Sequence, residues 1–405
     1  MSDQSKTVLY LSYDGMTDPL GQAQVLPYLE GLSREGFSIH LISFEKRGPF
    51  EKNRAKIQQF CAASGIDWLP KSYTKAPPIF STIWDLSRMY WSAKRALRKY
   101  PVGIVHTRSY AAGIVGLRLK RLFDFKLLAD IRGFWADERV EGGLWDPSNW
   151  LYGRVYRFFK KEEKKLFSHA DGIVTLTKAS MEYLADHFAL SAVTAVIPCA
   201  ADIDFFRKVD NGEVARLKEE LGLKDKYVLT YLGSIGTWYM LDEMLRFFIV
   251  LKLIQPNAKF LFLTKDDPKT IHVKAAKLNI NVQDISVHAV EREQLPTYLH
   301  ISNASVFFIR PTFSKSASSP TKHGELLAAS IPVVCNAVGD LGEILRQAKT
   351  GVQVESFDDD AFHTAAKELL SSTFYGFEGV AAEYYSLAKA TEHYLQLYSS
   401  LLNEK

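Results

Sequence analysis

The sequence has little cysteine and no long run of uncharged apolar residues. Cys61, Cys199 and Cys335 are the only cysteines among 405 residues, and they form no CxxC pair and no cluster with histidine. This excludes a disulfide-stapled scaffold and a cysteine–histidine zinc module, and it favours a reducing compartment. No apolar run approaches the roughly 18–20 residues of a membrane span, and the polar residues 1–6 predict no signal peptide. We therefore expect a cytoplasmic protein.

The overall composition is that of an ordinary globular protein, with 47% hydrophobic, 24% charged and 13% aromatic residues. Those fractions exclude a disordered or collagenous chain, and the length predicts two domains. Charge is uneven: residues 1–200 hold 28 Lys and Arg against 20 Asp and Glu, whereas residues 201–405 hold 22 against 26. The basic half predicts an anionic partner, such as a phosphorylated acceptor or an anionic membrane surface.

Short apolar runs, each followed by a polar loop and a helical stretch, recur along the chain. This βαβ alternation predicts an α/β fold with parallel sheets covered by helices on both faces. The first series of predicted strands lies at residues 7–12, 38–44, 103–106, 126–129, 172–176 and 195–198. The second lies at residues 227–232, 259–263, 286–289, 305–309, 332–335 and 351–354. A loop at residues 198–206 separates the two series, so we place the interdomain linker near residues 199–210.

Ligands of open parallel sheets bind beyond the carboxyl ends of the strands. Two such domains with sheets facing an interdomain cleft would place the active site in that cleft. Chemistry is therefore expected in the loops after Ser12, His106, Ala129, Leu232, Ile309 and Cys335.

The most informative of these loops continues as SSPTKHGELLAASIPVV at residues 318–334. One of the two serines can cap a helix whose first turn contains Pro320. Its free N–H groups, together with Lys322, would attract a diphosphate, and Glu325 could accept hydrogen bonds from ribose hydroxyls. The alternative is an ordinary capped helix with an exposed lysine and glutamate.

This segment resembles the donor-binding motif of the retaining glycosyltransferases of family four, which have the GT-B fold of two Rossmann-like domains. The resemblance implies that Glu325 binds the ribose of a nucleotide sugar and that Lys322 lies near the phosphates, with Ser319 and Thr321 in the same turn. Many members have a second glutamate eight positions earlier, where this sequence has Ala317. That departure leaves the choice of sugar open.

Two further segments resemble the glycine loops of this family. LSYDGMTDPLGQAQVLPYLEGL, at residues 11–32, looks like the first strand–loop–helix and contains Gly21 near the expected phosphates. TYLGSIGTWYMLDEML, at residues 230–245, looks like the first strand–loop–helix of the donor domain, with donors to the diphosphate at Gly233, Ser234, Gly236 and Thr237. Relatives place cations around this second loop. Here Arg310 is a candidate substitute, with a surface ion pair as the equal alternative.

Two polar loops in the first half are candidates for catalysis. HTRSY at residues 106–110 follows one predicted strand, and the charge-rich DIRGFWADERVEGG at residues 130–143 follows the next. The candidate catalytic residues are Asp130, Arg132, Asp137, Glu138 and His106. A carboxylate shielded from water can have a raised pKa and serve as the base for an acceptor hydroxyl. The family's usual histidine corresponds to Arg132 here.

Three stretches of the first half mix basic and aromatic residues: residues 89–100, 118–126 and 150–167. Such stretches can lie on an anionic bilayer, although a solvated basic helix face is the commoner arrangement. Nucleic acid is not expected, because no recognition module accompanies the charge.

The tight acidic clusters are Asp266-Asp267 and residues 358–360. The second reads as a helix cap and first turn, and the first lies in a strand-end loop. Neither predicts a metal site, so we expect no metal and no cofactor.

Together these observations predict a transferase that moves a sugar from a nucleotide-diphosphate donor to an acceptor hydroxyl. The resemblance implies retention of configuration, a role in cell-surface glycan assembly, and a glycan or polyprenyl-diphosphate acceptor met at the inner face of the cytoplasmic membrane. Residues 1–200, completed by a helix at about 385–405, would bind the acceptor, and residues 201–384 the donor. A GT-B sugar-nucleotide epimerase and a non-catalytic glycan-binding or scaffold member are the alternatives.

Overall fold

The computed structural model of the chain describes residues 6–77 and 79–403. The prediction of a polar start without a signal peptide falls mostly on residues 1–5, and the predicted last helix ends at residues 404–405, so both extremities lie outside the described residues. The chain divides into two compact units. One comprises the residues up to Pro198 together with those from Leu387 onward, and the other is Cys199–Ser386.

The described part of the first unit contains one sheet of seven parallel strands in the order β3-β2-β1-β4-β5-β6-β7. The strands are β1 Thr7–Ser12, β2 Ser38–Glu45, β3 Ile66–Ser72, β4 Val102–Arg108, β5 Lys126–Asp130, β6 Gly172–Thr175 and β7 Val193–Val196. The central strands are buried on both faces, which is why they read as continuous apolar runs.

Helices cover this sheet. They are α1 Pro19–Gln24, α2 Leu26–Arg34, α3 Arg47–Ala63, α4 Phe80–Lys99, α5 Ser109–Lys120, α6 Trp135–Glu141, α7 Trp150–His169 and α8 Lys178–His187. The last helix of the chain, α18 Leu387–Asn403, also belongs to this unit. It packs on α2, β4 and β7, and Thr391 fits against Gly31, which has no side chain in its way.

The second unit contains six parallel strands in the order β10-β9-β8-β11-β12-β13. The strands are β8 Tyr227–Leu232, β9 Ala258–Leu263, β10 Ile285–His288, β11 Ala304–Phe307, β12 Val333–Asn336 and β13 Gly351–Val354. The helices are α9 Ile203–Arg207, α10 Asn211–Glu220, α11 Leu241–Ile254, α12 Pro268–Lys277, α13 Leu295–His300, α14 Thr321–Ala328, α15 Leu341–Gln347, α16 Asp359–Ser371 and α17 Phe377–Tyr385. Three short 3-10 segments occur at Val282–Asp284, Arg292–Gln294 and Phe313–Ala317.

The segment predicted as a loop at residues 198–206 is partly helical. Helix α9 begins after Asp202, whose carboxylate accepts a hydrogen bond from the Phe205 backbone N–H. Phe206 is fully buried in the core of the second unit. An N-cap and an apolar anchor are enough to form this short helix, although five residues carry no visible periodicity.

Each sheet has one point at which the strand order reverses. In the first unit it lies between β1 and β4, and in the second between β8 and β11. The connections leave these neighbouring strands in opposite directions, so their loops diverge and form a crevice beyond the carboxyl ends. The loops after Ser12, Arg108, Leu232 and Phe307 border these two crevices. None of the helices in the described part of the chain combines the length and apolarity that a bilayer crossing requires.

Candidate functional site

The loop after β8 contains two glycines with positive φ. Gly233 has φ +99° and Gly236 has φ +48°, a region that residues with side chains seldom adopt. Asp266, after the neighbouring strand β9, fixes this turn. Its carboxylate accepts hydrogen bonds from Ser234 Oγ at 3.0 Å and from the Ile235 backbone N–H at 2.6 Å. The Ser234 hydroxyl, predicted to face a diphosphate, is therefore engaged by Asp266.

Beside this turn the side chain of Lys322 is buried among aromatic rings. Its Nζ lies 3.1 Å from the Tyr231 hydroxyl oxygen and 3.5 Å from the centroid of the Tyr239 ring. The same nitrogen lies 3.3 Å from the point that a Cβ on Gly233 would occupy, so glycine at this position makes room for the ammonium. Burial lowers the pKa of Lys322 well below its usual value, although Glu325 opposes that shift.

Within the described residues, no carboxylate forms a salt bridge with Lys322, whose polar contact is the Tyr231 hydroxyl. A buried cation that lacks a protein counterion costs free energy, and an anion at the same place would offset that cost. The turn after β8 and Lys322 thus form one anion-attracting surface.

Glu325 lies on the same side of α14 as Lys322, because residues three apart are neighbours on a helix. Its side chain is only 12% exposed, and its Oε1 lies 3.7 Å from the Arg292 guanidinium. Burial raises the pKa of Glu325, while Arg292 and Lys322 lower it. A mostly buried carboxylate with one long ion pair retains oxygen lone pairs that can accept hydrogen bonds from ligand hydroxyls.

The start of α14 differs from the sequence-based expectation. The helix begins at Thr321 with Pro320 as its N-cap, and no side chain caps it. The Ser319 hydroxyl accepts a hydrogen bond from the Cys199 backbone N–H at 3.2 Å instead. The predicted serine cap is therefore wrong, because the extended chain at residues 318–320 turns Ser319 toward residue 199. The first-turn N–H groups beside Thr321 consequently have no side-chain acceptor.

Trp238, which lies in the loop after β8, contacts the backbone of Arg310 and the side chain of Lys315. The predicted Arg310 has an exposed side chain, and its backbone N–H donates to the Trp238 carbonyl at 2.9 Å. Lys315, which sequence reasoning missed, is buried with Nζ 4.0 Å from the Trp238 ring centroid. The sequence marks Lys315 only by its position, two residues before Ala317, where many family members have a glutamate. Thr237 is exposed beside them.

His323 anchors α14 to helix α17. It is fully buried, and its Nδ1 lies 2.8 Å from the hydroxyl oxygen of Tyr385. The Tyr385 ring fills the space in which a side chain on Gly324 would stand. Burial lowers the pKa of His323 to about 3, so the ring is neutral at physiological pH. This contact ties α14 to the end of α17.

In the first unit, a buried polar cluster forms at the ends of β4 and β5. Asp130 lies 3.4 Å from Arg132, 3.8 Å from Arg108 and 3.6 Å from His106. The His106 Nδ1 lies 2.7 Å from the hydroxyl oxygen of Tyr398 on α18. The structure therefore brings three predicted catalytic residues together. Arg108 is a member that sequence reasoning missed, although HTRSY contains it.

The charge state of this cluster opposes the predicted role of Asp130 as a base. Burial raises the pKa of Asp130, but Arg132, His106 and Arg108 outweigh it and hold the pKa well below the usual value. The prediction of a raised pKa is therefore wrong for Asp130, because cationic side chains are buried beside its carboxylate. Burial also lowers the pKa of His106, which favours the neutral ring.

The other two candidates of this loop lie on α6. Asp137 accepts hydrogen bonds from the Tyr156 hydroxyl at 2.7 Å and from Lys160 Nζ at 2.9 Å, so it joins α6 to α7. Glu138 approaches the loop after β5 instead. Its Oε1 lies 3.5 Å from the point that a Cβ on Gly133 would occupy. The structure thus separates Asp137 from the cluster around Asp130.

The loop after β1 is tightly packed, with the backbone of Gly21 against that of Gly15. A Cβ on Gly21 would lie 2.2 Å from the Gly15 carbonyl oxygen, so Gly21 serves close backbone packing. The buried carboxylate of Glu45 accepts hydrogen bonds from the backbone N–H groups of Met16 and Thr17 at 2.9 and 3.0 Å. Sequence reasoning missed Glu45. Its carboxylate, rather than a ligand anion, accepts hydrogen bonds from these two N–H groups of the loop.

The acidic clusters serve as caps and loop anchors. Asp358 caps α16 by accepting a hydrogen bond from the Ala361 N–H, and Asp267 caps α12 through the Lys269 N–H. Across the described residues, no group of three or more His, Cys, Asp or Glu side chains could hold a metal ion.

Two doubly wound parallel-sheet units with strand-end crevices define the GT-B fold. The model of glycosyltransferase family 4 matches residues 23–205, and that of glycosyl transferases group 1 matches residues 214–379. The chain therefore belongs to the family 4, group 1 glycosyltransferases. The crystal structure of Anabaena HepE in complex with UDP shares this fold, with a TM-score of 0.71 and 12% identity, covering 97% of this chain and 100% of that one.

Two curated relatives share limited sequence similarity. A GDP-mannose-dependent alpha-(1-6)-phosphatidylinositol monomannoside mannosyltransferase of Mycolicibacterium smegmatis is 26% identical over 215 residues, 51% of this chain and 55% of that protein. A D-inositol 3-phosphate glycosyltransferase of Corynebacterium aurimucosum is 22% identical over 276 residues, 66% of this chain and 63% of that protein. The chain thus matches less than two thirds of the length of either relative.

Proposed function

We propose that the protein transfers a sugar from a nucleotide-diphosphate donor to an acceptor hydroxyl, with retention of configuration. The observation that carries this proposal is the buried ammonium of Lys322 against Gly233, without a carboxylate partner among the described residues. A diphosphate at the turn after β8 would supply the missing negative charge. Lys322 would then stabilise the same diphosphate as its charge increases during departure from the sugar.

Glu325 and the start of α14 complete the proposed donor site. Glu325 would accept hydrogen bonds from the ribose hydroxyls, and the uncapped first turn near Thr321 would donate to phosphate oxygens. Lys315, whose Nζ lies against the Trp238 ring, would supply further positive charge, and the exposed Arg310 is a second candidate. The site needs no metal or cofactor in this proposal, because these side chains and the helix N-terminus provide the positive charge.

The low pKa of Asp130 favours a mechanism in which the acceptor proton goes elsewhere. The departing phosphate oxygen is one acceptor for that proton, and Glu138 is the candidate carboxylate that remains near the loop after β5. Asp130 would act as a buried anion that holds Arg132 and Arg108 in position. We expect the donor site to exclude water during transfer, because water would otherwise hydrolyse the donor.

For the acceptor we propose a cell-surface glycan or a polyprenyl-diphosphate-linked precursor, reached at the inner face of the cytoplasmic membrane. The two relatives are named for phosphatidylinositol monomannoside and for D-inositol 3-phosphate. A phosphorylated or lipid-linked acceptor agrees with the excess of basic residues in the first half.

The test is to incubate the protein with UDP-, GDP- and ADP-sugars, with and without a lipid-linked glycan extract. A transferase releases nucleotide only when acceptor is present, and the anomeric coupling constant of the product reports retention. Conversion of the sugar nucleotide without acceptor would identify an epimerase instead. Failure of every nucleotide to bind would leave the non-catalytic alternative.

A further inference from the structure

One side of helix α4 presents large apolar side chains to solvent. Phe80, Trp84 and Trp91 are 72%, 61% and 62% exposed. Their spacing of four and seven residues places them in one stripe along the helix. The opposite side, which includes Met89 and Ala93, is fully buried against the rest of the unit. The exposed rings therefore contribute little to the packing of the unit's core.

The same helix is strongly basic. Its five cationic residues are Arg88, Lys94, Arg95, Arg98 and Lys99. Its one acidic residue, Asp85, is fully buried and accepts hydrogen bonds from the Thr74 backbone and side chain. Arg95 and Arg98 extend the stripe of aromatic rings toward the end of the helix. The helix has no exposed carboxylate.

Helix α7 repeats this arrangement. Trp150 is 70% exposed and Phe158 is 44% exposed, and both lie on the side that carries Arg154, Arg157 and Lys161. The Arg154 guanidinium lies 5.5 Å from the Trp150 ring centroid. A second helix of the same unit therefore combines exposed rings with exposed cations.

Both helices pack against α5, so α4, α5 and α7 form one layer on one face of the first sheet. Helix α5 is mostly buried between its neighbours, and the turn after it exposes Leu122 at 58%. The basic–aromatic segments at residues 89–100 and 150–167 therefore belong to a single layer, together with the start of the segment at residues 118–126, which the sequence alone does not reveal.

We propose that the outer faces of α4 and α7 dock this protein on a lipid bilayer that contains anionic lipids. Aromatic rings are favoured at the level of the headgroups, and lysine and arginine are attracted to anionic headgroups in the same plane. This inference deepens the proposed function by naming the surface on which a lipid-linked acceptor would be met.

The experiment is co-sedimentation of the full chain with vesicles of phosphatidylcholine alone and with about one third phosphatidylglycerol. We expect binding to the anionic vesicles, weak binding to the neutral ones, and loss of binding at high salt, because surface charge is screened within a Debye length. Sedimentation that is equal for both vesicles, or absent for both, overturns the proposal.

Two double variants separate the contributions of rings and charges. Trp84→Ser with Trp91→Ser, and Arg95→Glu with Arg98→Glu, should each lower the partition coefficient by about tenfold or more. The matched controls lie on the second unit. They are Leu253→Ser with Tyr375→Ser for exposed apolar residues, and Lys277→Glu with Lys367→Glu for exposed cations.

Unchanged binding in both α4 variants, or equal loss in the controls, contradicts the assignment of this surface. If the arginine variant fails to fold, the tryptophan variant and the salt dependence of vesicle binding still test the proposal. Vesicle binding needs neither donor nor acceptor, so its failure is distinguishable from failure of the proposed sugar transfer, which soluble nucleotide release reports.

Discussion

The ammonium nitrogen of Lys322 lies 3.3 Å from the point that a Cβ atom on Gly233 would occupy. The lysine comes from the first turn of α14, and the glycine follows β8, the strand at the reversal of the second sheet. The fold therefore places a cation against a backbone turn whose shape only glycine adopts easily. The proposal of a nucleotide-diphosphate donor rests on this pair of features.

Replacement of Gly233 by alanine should weaken nucleotide binding. The new methyl group would press on Lys322, and φ of +99° strains any side-chain-bearing residue. We expect at least about a tenfold loss of affinity in calorimetry, equivalent to ~1.4 kcal/mol. Gly222→Ala is the matched control, because Gly222 also has positive φ, at +64°, but a Cβ there would meet nothing within 4 Å. Equal losses in both variants would show that general destabilisation by alanine at positive φ, not the contact with Lys322, lowers the affinity.

Replacement of Asp130 by asparagine should reduce stability. The carboxylate is buried, and its lowered pKa reflects Arg132, His106 and Arg108. Removal of one member of a buried charge cluster costs about 3–5 kcal/mol. The contribution is present above the unfolded pKa of about 3.9 and is lost as the pH falls toward the lower folded pKa, so urea unfolding at pH 7 should show the full loss.

Asp67→Asn serves as the comparison for Asp130. Asp67 is a 61% exposed carboxylate paired with His40, and its removal should change the free energy of unfolding by less than about 1 kcal/mol. If the two asparagine variants unfold at the same urea concentration, the view of Asp130 as a buried structural anion is wrong.

His323 should make the second unit sensitive to acid. Its pKa in the folded protein is about 3, against an ordinary histidine pKa of 6.5, so the unfolded chain binds one more proton between these values. The free energy of unfolding should therefore fall by about 1.4 kcal/mol per pH unit below pH 6.5 from this residue alone. His323→Asn, which retains a polar atom near Tyr385, should flatten the pH dependence of urea unfolding between pH 7 and pH 5. An unchanged slope would show that the pKa of His323 is the same in the folded and the unfolded chain.

Gly21→Ala should destabilise the loop after β1. The added methyl group would lie 2.2 Å from the Gly15 carbonyl oxygen and 2.6 Å from the Met16 Cα, and backbone atoms cannot move aside cheaply. We expect a loss of about 1–3 kcal/mol in the free energy of unfolding. Gly48→Ala, inside helix α3 with nothing within 4 Å, should be neutral or slightly stabilising. A harmless Gly21 variant would mean that the loop is looser than its contacts indicate.

Much of the fold was predictable, because strands buried on both faces are visible as apolar runs. The strands Thr7–Ser12, Tyr227–Leu232 and Gly351–Val354 have their predicted bounds. Strand β3, Ile66–Ser72, was missed because it lies at the sheet edge, where Pro70 and alternating exposed residues interrupt the apolar signal.

The candidate site was only partly predictable. A helix start after a strand-end loop has a local signature, and the structure has the predicted Lys322 and Glu325 on helix α14; their role in donor binding stays a prediction. It did not reveal Asp266, Lys315 or Glu45, whose roles depend on neighbours distant in sequence. The charge state of Asp130 was misjudged for the same reason, since Arg108 comes from a different strand.

The most direct test of the central claim is calorimetric titration of UDP, GDP and ADP into the wild type, Lys322→Met and Glu325→Ala. One nucleotide should bind the wild type, because its diphosphate would supply a negative charge beside the buried Nζ of Lys322. Both variants should lose about tenfold or more in affinity. The exposed Lys265, paired with Glu291, provides the control variant Lys265→Met. Failure of all three nucleotides to bind the wild type, or binding that is unchanged in Lys322→Met, would contradict the account.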